Sequence, residues 1–332
     1  MVALVTTFCL APVVGLARAQ SSDRPSGGRI PVILDTDIGD DIDDTWALGF
    51  LLKSPELDLR LAIGDHGKSL YRARLLAKFL ERAGRTDVAV GVGLDANVRG
   101  DGLQAAWVTD YNLNRYPGRV YPDGVQAMID LIMGSPVPLT VIAVGPLPNI
   151  AAALEREPGI ARRARFVGMH GSVRVGYGGR NEPSVEYNVK EDIKACQKAL
   201  AADWDITITP LDTCGLVDLD GALYRAVRDA QDPIARAVIE NYRVWCQRPG
   251  DPNWKLDPSE RSSTLFDTVA VYLAFSQQHA TMETLGIKVT DDGYTRLDPT
   301  GKPMSVATAW KDLDGFRSLL ATRLADPGTP GR

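Results

Sequence analysis

The sequence predicts an α/β protein built on a single open, mostly parallel sheet with helices on both faces. Two patterns and the composition predict it. From Arg29 onward, short apolar runs alternate with stretches of helical period, as strands and their crossover helices do. The first run, Ile30 to Leu34, is nearly continuous in apolar residues, as a strand covered on both faces must be. The composition is ordinary for a globular chain, with 45% hydrophobic and 24% charged residues among 332, which excludes a disordered chain, a coiled coil or a collagen-like fibre.

Taken in order, the strand Ile30 to Leu34 leads to a helix from about Asp43, with Trp46, Ala47, Phe50 and Leu51 at helical spacing and a stop near Ser54-Pro55. Leu57, Leu59, Leu61 and Ile63 alternate as a strand does, and the helix Leu70 to Ala83 closes on Gly84 before the strand Val88 to Val92. The segment Asp95 to Tyr121 has no clear period and reads as a long loop, a kind of segment that is often functional. Then follow a helix at Val125 to Met133, a strand at Leu139 to Val144, a helix at Asn149 to Glu157 and a strand at Arg165 to Met169. The glycine-rich loop Gly171 to Ser184 comes next. It precedes a helix from Lys190 to Ala202, a strand from Asp205 to Thr209, helices at Ala222 to Asp229 and Pro233 to Trp245, and a helix from Asp267 to Gln277. The tail from Ile287 to Trp310 reads as short strands before a last helix. The domain is expected over 29–325, with a flexible tail at 326–332.

Met1 to Ala19 is set apart from the fold. Apolar residues dominate to Leu16, and Ala17-Arg18-Ala19 has the small-x-small pattern of a signal-peptidase site, so a secretory signal at 1–19 and a linker at 20–28 are expected. No Lys or Arg precedes the apolar run, which keeps an uncleaved anchor or a misassigned start as the alternative. A secreted or periplasmic location follows, with no membrane partner after cleavage. Cys196, Cys214 and Cys246 then allow one disulfide at most; Cys214 could approach Cys246, and the spacings match no zinc motif. The net charge of −5, without a long basic run, gives no expectation of a nucleic-acid partner.

One segment departs sharply from the average. Asp35-Thr36-Asp37-Ile38-Gly39-Asp40-Asp41-Ile42-Asp43-Asp44 carries six carboxylates in ten residues, and no Lys or Arg lies between Ile30 and Leu52. Two carboxylates about 5 Å apart repel by roughly 3 kcal/mol at an effective dielectric near 20, so a compensating positive charge is expected. Asp35 and Asp37, two apart at a strand end, face the same side, while Asp43 and Asp44 fall in the first turn of the next helix. Open α/β sheets bind ligands beyond the carboxyl ends of their strands. An all-oxygen donor set suits calcium or magnesium better than zinc. Counted from Asp35, an EF-hand would need Gly and Glu where Asp40 and Trp46 stand.

The run Asp35 to Leu48 resembles the N-terminal signature of the nucleoside hydrolases of inosine-uridine preferring type. Three further segments agree in order. Ala143-Val144-Gly145-Pro146-Leu147-Pro148-Asn149-Ile150 is similar to that family's Gly-Pro-Leu-Thr-Asn-Ile, Met169-His170-Gly171 resembles its Met-Gly-Gly, and Glu186-Tyr187-Asn188 with Asp192 resembles its Glu-Phe-Asn-x-x-x-Asp. Phe266-Asp267 stands where the family has His-Asp, and the resemblance spans Pro31 to Phe275. It implies calcium as cofactor, held by Asp37, Asp44, Asp267 and the carbonyl of Val144, with Asp35 supporting them from behind. It further implies Asp37 as general base in hydrolysis of the N-glycosidic bond of a ribonucleoside, through an oxocarbenium-like transition state. Asp43 would bind the sugar hydroxyls, and Asn181, Glu186, Asn188, Met169 and His170 would complete the substrate site. A small-molecule nucleoside or related riboside is the implied partner, and a homo-oligomer is expected by analogy.

Departures from the signature are specific. Two extra residues separate Gly39 from the pair Asp43-Asp44, Asp65 replaces an Asn, His170 replaces a Gly, and Phe266 replaces a His thought to protonate the leaving base in pyrimidine-accepting members. His66 and His170 are candidates for that missing acid, each also readable as a structural histidine. Trp107, Tyr111, Tyr242, Trp245 and Trp254 could stack on a base or simply pack. Two alternatives remain at this point: a metal-dependent phosphatase of haloacid-dehalogenase type, which also places Asp-x-Asp after its first strand, and a non-catalytic, calcium-dependent nucleoside- or ribose-binding protein.

Overall fold

The computed structural model describes residues 28–247 and 256–328. Ten strands form one sheet: β1 Ile30–Thr36, β2 Leu57–Gly64, β3 Ala89–Val92, β4 Val120–Tyr121, β5 Leu139–Ala143, β6 Ala164–Met169, β7 Ile206–Thr209, β8 Ala280–Val289, β9 Thr295–Leu297 and β10 Lys302–Trp310. The helices are α1 Asp43–Leu52, α2 Ser69–Arg82, α3 Ala105–Val108, α4 Gly124–Gly134, α5 Pro148–Arg156, α6 Tyr187–Glu191, α7 Ile193–Ala201, α8 Leu211–Cys214, α9 Gly221–Arg228, α10 Pro233–Cys246, α11 Phe266–Leu273 and α12 Leu313–Ala325.

The strand order is β4-β3-β2-β1-β5-β6-β7-β10-β8-β9. All neighbours from β4 to β10 pair in parallel, and only β8 and β9 add antiparallel ladders at one edge. From central β1 the chain winds outward through β2, β3 and β4, then returns to β5 on the other side. That reversal leaves a crevice beyond the carboxyl ends of β1 and β5, where such sheets bind ligands. In register, Asp35 lies opposite Ile63 on one side and Ala143 on the other.

Two apolar layers cover the sheet. One packs α1, α2, α9, α10, α11 and α12 against it, and the other packs α4, α5 and α7. Helix α1 is buried at all ten positions, so it is a core helix rather than an amphipathic surface one. That burial draws the aspartates at its start into the interior. Among the described residues no helix is long and apolar enough to cross a membrane.

Three elements differ from expectation. The helix expected over Lys190 to Ala202 is two, α6 and α7, because Asp192 takes a non-helical conformation (φ −145°, ψ 78°) and its carboxylate caps α7 at Ala195 N–H. Helix α11 ends at Leu273, short of Gln277, and the final strands begin at Ala280. The loop from Asp95 contains α3 and ends on the edge strand β4. No disulfide joins Cys214 and Cys246. The expected signal at 1–19, the linker at 20–27 and Trp254 lie outside the described residues.

Candidate active site

A cavity of about 280 Å³ opens beyond β1 and β5. The turn after β1 delivers Asp37, the start of α1 delivers Asp43 and Asp44, the turn after β5 delivers Val144, β6 delivers Met169, α6 and its cap deliver Glu186, Tyr187 and Asn188, and α11 delivers Phe266 and Asp267. Asp37, Asp43, Asp44, Val144, Met169, Glu186, Asn188 and Asp267, all predicted from the sequence, line this one space. Two others do not. Asn181 is exposed on the glycine-rich loop and does not line the cavity. His170 is wholly buried, with Nε2 3.1 Å from the carbonyl of Gly145 and its ring 5.8 Å from that of Phe166. Burial lowers its pKa to about 4, so it stands as a neutral packing residue rather than a substrate contact.

Asp43, Asp44 and Asp267 bring carboxylate oxygens within 4.8 Å of one another, all buried. The main-chain N–H of Asp267 donates to Asp43 at 3.3 Å, and the Thr36 hydroxyl donates to Asp44. Burial first, then repulsion from neighbouring aspartates, Asp37 among them, pushes all three carboxyls well above the ordinary range. Asp37 beside them is raised to about 7, chiefly by burial. A divalent cation would remove this strain, and the wholly oxygen donor set fits a hard one. Asp43, expected to serve the sugar, lies close enough to Asp44 and Asp267 to reach the same cation.

Behind them, Asp35 accepts from Asn149 Nδ2 at 2.8 Å and is raised to about 7 by burial. Asp65, also wholly buried, is raised well above the ordinary carboxylate range by burial and by the charge on Asp35. Main-chain bonds tie the crevice together: Val144 N–H donates to Asp35 and Asp65 N–H to Thr36, both at 2.9 Å. The turn after β5 needs Gly145, because a Cβ there would lie 2.9 Å from Asp37 Oδ1 and 2.7 Å from Asp65 Oδ1.

Glu186 caps α6, accepting from the N–H groups of Gly171 (2.9 Å), Asn188 (2.7 Å) and Val189 (3.2 Å). Burial outweighs these bonds and raises it to about 7. Asn188 Nδ2 donates to the carbonyls of Val144 (3.2 Å) and Met169 (3.0 Å).

Sequence reasoning missed Arg72. This residue of α2, 1% exposed, donates to the carbonyls of Asp37, Ile38 (2.9 Å) and His66 (2.6 Å) and to the Asp40 carboxylate (2.8 Å). It supplies part of the positive charge that the aspartate run demanded. Its signal was an arginine among the apolar positions of α2, with Leu76, Phe79 and Leu80 on the same stripe. Tyr177 was also missed; its ring meets Phe266 edge-on, with centroids 6.2 Å apart, and its hydroxyl accepts from Tyr187 N–H at 2.9 Å. The aromatic candidates Trp107, Tyr111, Tyr242 and Trp245 do not line the cavity. His66, with φ of +52°, lines an adjoining cavity and faces Glu191 at 3.6 Å.

The site is thus a crevice at the reversal point of a mostly parallel α/β sheet, lined by a buried aspartate cluster that could hold a cation and by a capped Glu-x-Asn. The profile of the inosine-uridine preferring nucleoside hydrolase family matches residues 32–317, and the chain belongs to that family. The pyrimidine-specific ribonucleoside hydrolase RihA of Enterobacter sp. (strain 638) is 28% identical over 89% of this chain and 98% of its own. Its counterpart in Photobacterium profundum is 26% identical, over 89% and 99%. Among solved structures, the plant nucleoside hydrolase PpNRh1 shares the fold with a TM-score of 0.74 at 22% identity, over 90% of this chain and 100% of that one. A purine-preferring ribonucleoside hydrolase from Gardnerella vaginalis gives 0.69 at 21%, over 89% and 99%. Membership in this family leaves the phosphatase alternative without support.

Proposed function

We propose that the chain hydrolyses the N-glycosidic bond of ribonucleosides, releasing ribose and free base, with calcium as cofactor and Asp37 as general base. The observation that carries this reading is the convergence of Asp37, Asp43, Asp44 and Asp267, from the turn after β1 and from α1 and α11, on one cavity that also holds Glu186 and Asn188. Asp37, Asp44, Asp267 and the Val144 carbonyl would hold the cation. When bound, the ion supplies Lewis acidity that makes a water molecule easier to deprotonate. Asp37 takes the proton from that water as its oxygen adds to the ribose C1′. Asp43, Glu186 and Asn188 orient the sugar through its hydroxyls, and Met169 closes the apolar wall beneath it. A site built from such bonds rejects a sugar lacking a hydroxyl, because its own buried polar groups then go unpaired.

Export by cleavage after Ala19, and assembly into a homo-oligomer, belong to the same proposal. Ribose release from inosine, adenosine, guanosine, uridine and cytidine, with calcium and with chelator, tests the activity. Chelator-sensitive release is expected, and Asp37→Ala should lower it by at least about 10³-fold while weakening calcium binding. Wild-type turnover in that variant would overturn the assignment. Calcium binding with ribose or nucleoside retention but no product would favour the binding-protein reading.

A further inference from the structure

Phe266 lines the cavity at the place where the family carries a His thought to protonate the leaving base. A phenyl ring has no proton to give. Negative charge still grows on the base as the C1′–N bond breaks, and in a buried site such charge is costly unless a hydrogen-bond donor meets it. Among the described lining residues besides the aspartates, Glu186, Asn188, Tyr187 and Tyr177 carry groups that could donate.

Asn188 spends its Nδ2 on the carbonyls of Val144 and Met169. Glu186, raised to about 7, can carry a proton. A carboxyl group has about four lone-pair directions, however, and those of Glu186 already accept the N–H groups of Gly171, Asn188 and Val189. The direction that remains serves the ribose in the reading above. Tyr187 stands exposed at the mouth and lines the adjoining cavity as well. Tyr177 is fixed more firmly. Its main-chain N–H donates to Ser184 Oγ at 3.2 Å, its ring stands edge-on to Phe266, and its hydroxyl accepts from Tyr187 N–H. That last bond uses a lone pair of the hydroxyl, and among the described residues nothing accepts its O–H. Burial, then the charge on Glu186, raises the phenol above its ordinary range, so it keeps its proton at neutral pH.

We propose that Tyr177 is a catalytic residue whose hydroxyl donates a hydrogen bond to a ring nitrogen or carbonyl oxygen of the departing base, in the place left by the missing His. The proposal rests on the hydrolase reading above. In this reaction the water oxygen bonds to C1′, one water proton passes to Asp37, and the C1′–N bond breaks with its electron pair going to the base. Tyr177 keeps its proton and holds the anionic base by the shared hydrogen. The base then takes a proton from solvent as it leaves, and Asp37 returns one to solvent. A donor aimed at developing charge needs no proton transfer to lower the barrier.

The test measures kcat of the full chain with calcium on inosine, on uridine and on p-nitrophenyl β-D-ribofuranoside. The nitrophenolate leaves without a proton at neutral pH and spreads its charge into the nitro group, so it depends least on a donor. Tyr177→Phe should lower the ratio of nucleoside to nitrophenyl riboside kcat by about 10²-fold, the usual cost of removing one such donor. Glu186→Gln should lower all three rates by similar factors, because its bond goes to the sugar that they share. Each ratio is internal to one variant, so a loss of folded protein cancels. An unchanged ratio in Tyr177→Phe, whether all three rates fall together or none does, would overturn the proposal and leave the hydrolase reading intact. A fall in the ratio as large in Glu186→Gln or in Tyr187→Phe would move the donor to that residue and overturn it as well. No release from any of the three ribosides by the unaltered chain would overturn both readings.

Discussion

Arg72 shows how one side chain can hold a charged segment together. Its guanidinium caps the carbonyls of residues 37, 38 and 66 and pairs with Asp40 while almost fully buried. Replacing it by methionine fills the volume but leaves those acceptors, in the crowded aspartate turn, without their donor. Removing one partner of a buried ion pair typically costs 3–5 kcal/mol, so Arg72→Met should lose about 3–5 kcal/mol in urea unfolding. A loss under about 1 kcal/mol would mean that water replaces the guanidinium at no great cost. Asp37, Asp43, Asp44, Glu186, Asn188 and Asp267 were legible in the sequence because their types and order matched a signature. Arg72 was not, because its partners Asp37, Ile38 and Asp40 lie 32 to 35 residues away along the chain and only the packing of α2 on the turn after β1 brings them together. His170, which replaces a Gly within a matching segment, and Asn181, expected to hold the ribose, do not line the cavity.

At the scale of elements, the β5 to α5 turn and the α6 to α7 break place the site. Val144 and Gly145 pass so close to Asp37 that a single methyl group has no room. Gly145→Ala should displace Asp37, the proposed general base, and lower kcat by about 10²-fold, the cost of a misplacement near 1 Å, without greatly changing the unfolding midpoint. Normal kcat would show that the turn yields instead. Asp192 separates α6 from α7, so α6 is free to set Tyr187 and Asn188 at the cavity. Helical periodicity alone joined the two segments, since apolar spacing continues through the break and the capping bond at Ala195 is invisible to it. Helix α11 likewise begins where predicted, at the Phe266-Asp267 pair, but ends at Leu273, where the chain turns toward β8.

For the whole molecule, the reversal of winding beside β1 concentrates negative charge in a buried crevice. Burial holds Asp35 and Asp37 at about 7 and Asp43, Asp44 and Asp267 well above the ordinary carboxylate range. In the metal-free chain these folded carboxyls keep protons that the unfolded chain releases near pH 4. Stability should therefore fall as pH rises from about 4 through about 7, the sign that raised carboxyl pKa values require. With chelator, Tm is expected to drop between pH 5 and pH 8; with calcium, the cation takes the place of the protons and the drop should shrink or vanish. Equal, flat profiles under both conditions would contradict a cation site at the cluster. On the export proposal, the intact mass of the chain recovered from a secreting host should begin at Gln20, and a mass retaining Met1 would refute cleavage.

The sequence by itself determined the fold class and the identity of the chemistry. Alternation of apolar runs dictates a parallel sheet, because crossover helices must bury both of its faces. Six carboxylates within ten residues, bounded by a buried strand and a buried helix, call for compensating positive charge. Only the tertiary structure decided which carboxylates converge, since distances between β1, α1 and α11 are set by packing across more than two hundred residues. Packing likewise brought in Arg72 and Tyr177 and left His170 buried outside the cavity lining. Local pattern reports what a residue can do, and burial against distant neighbours decides where it does it.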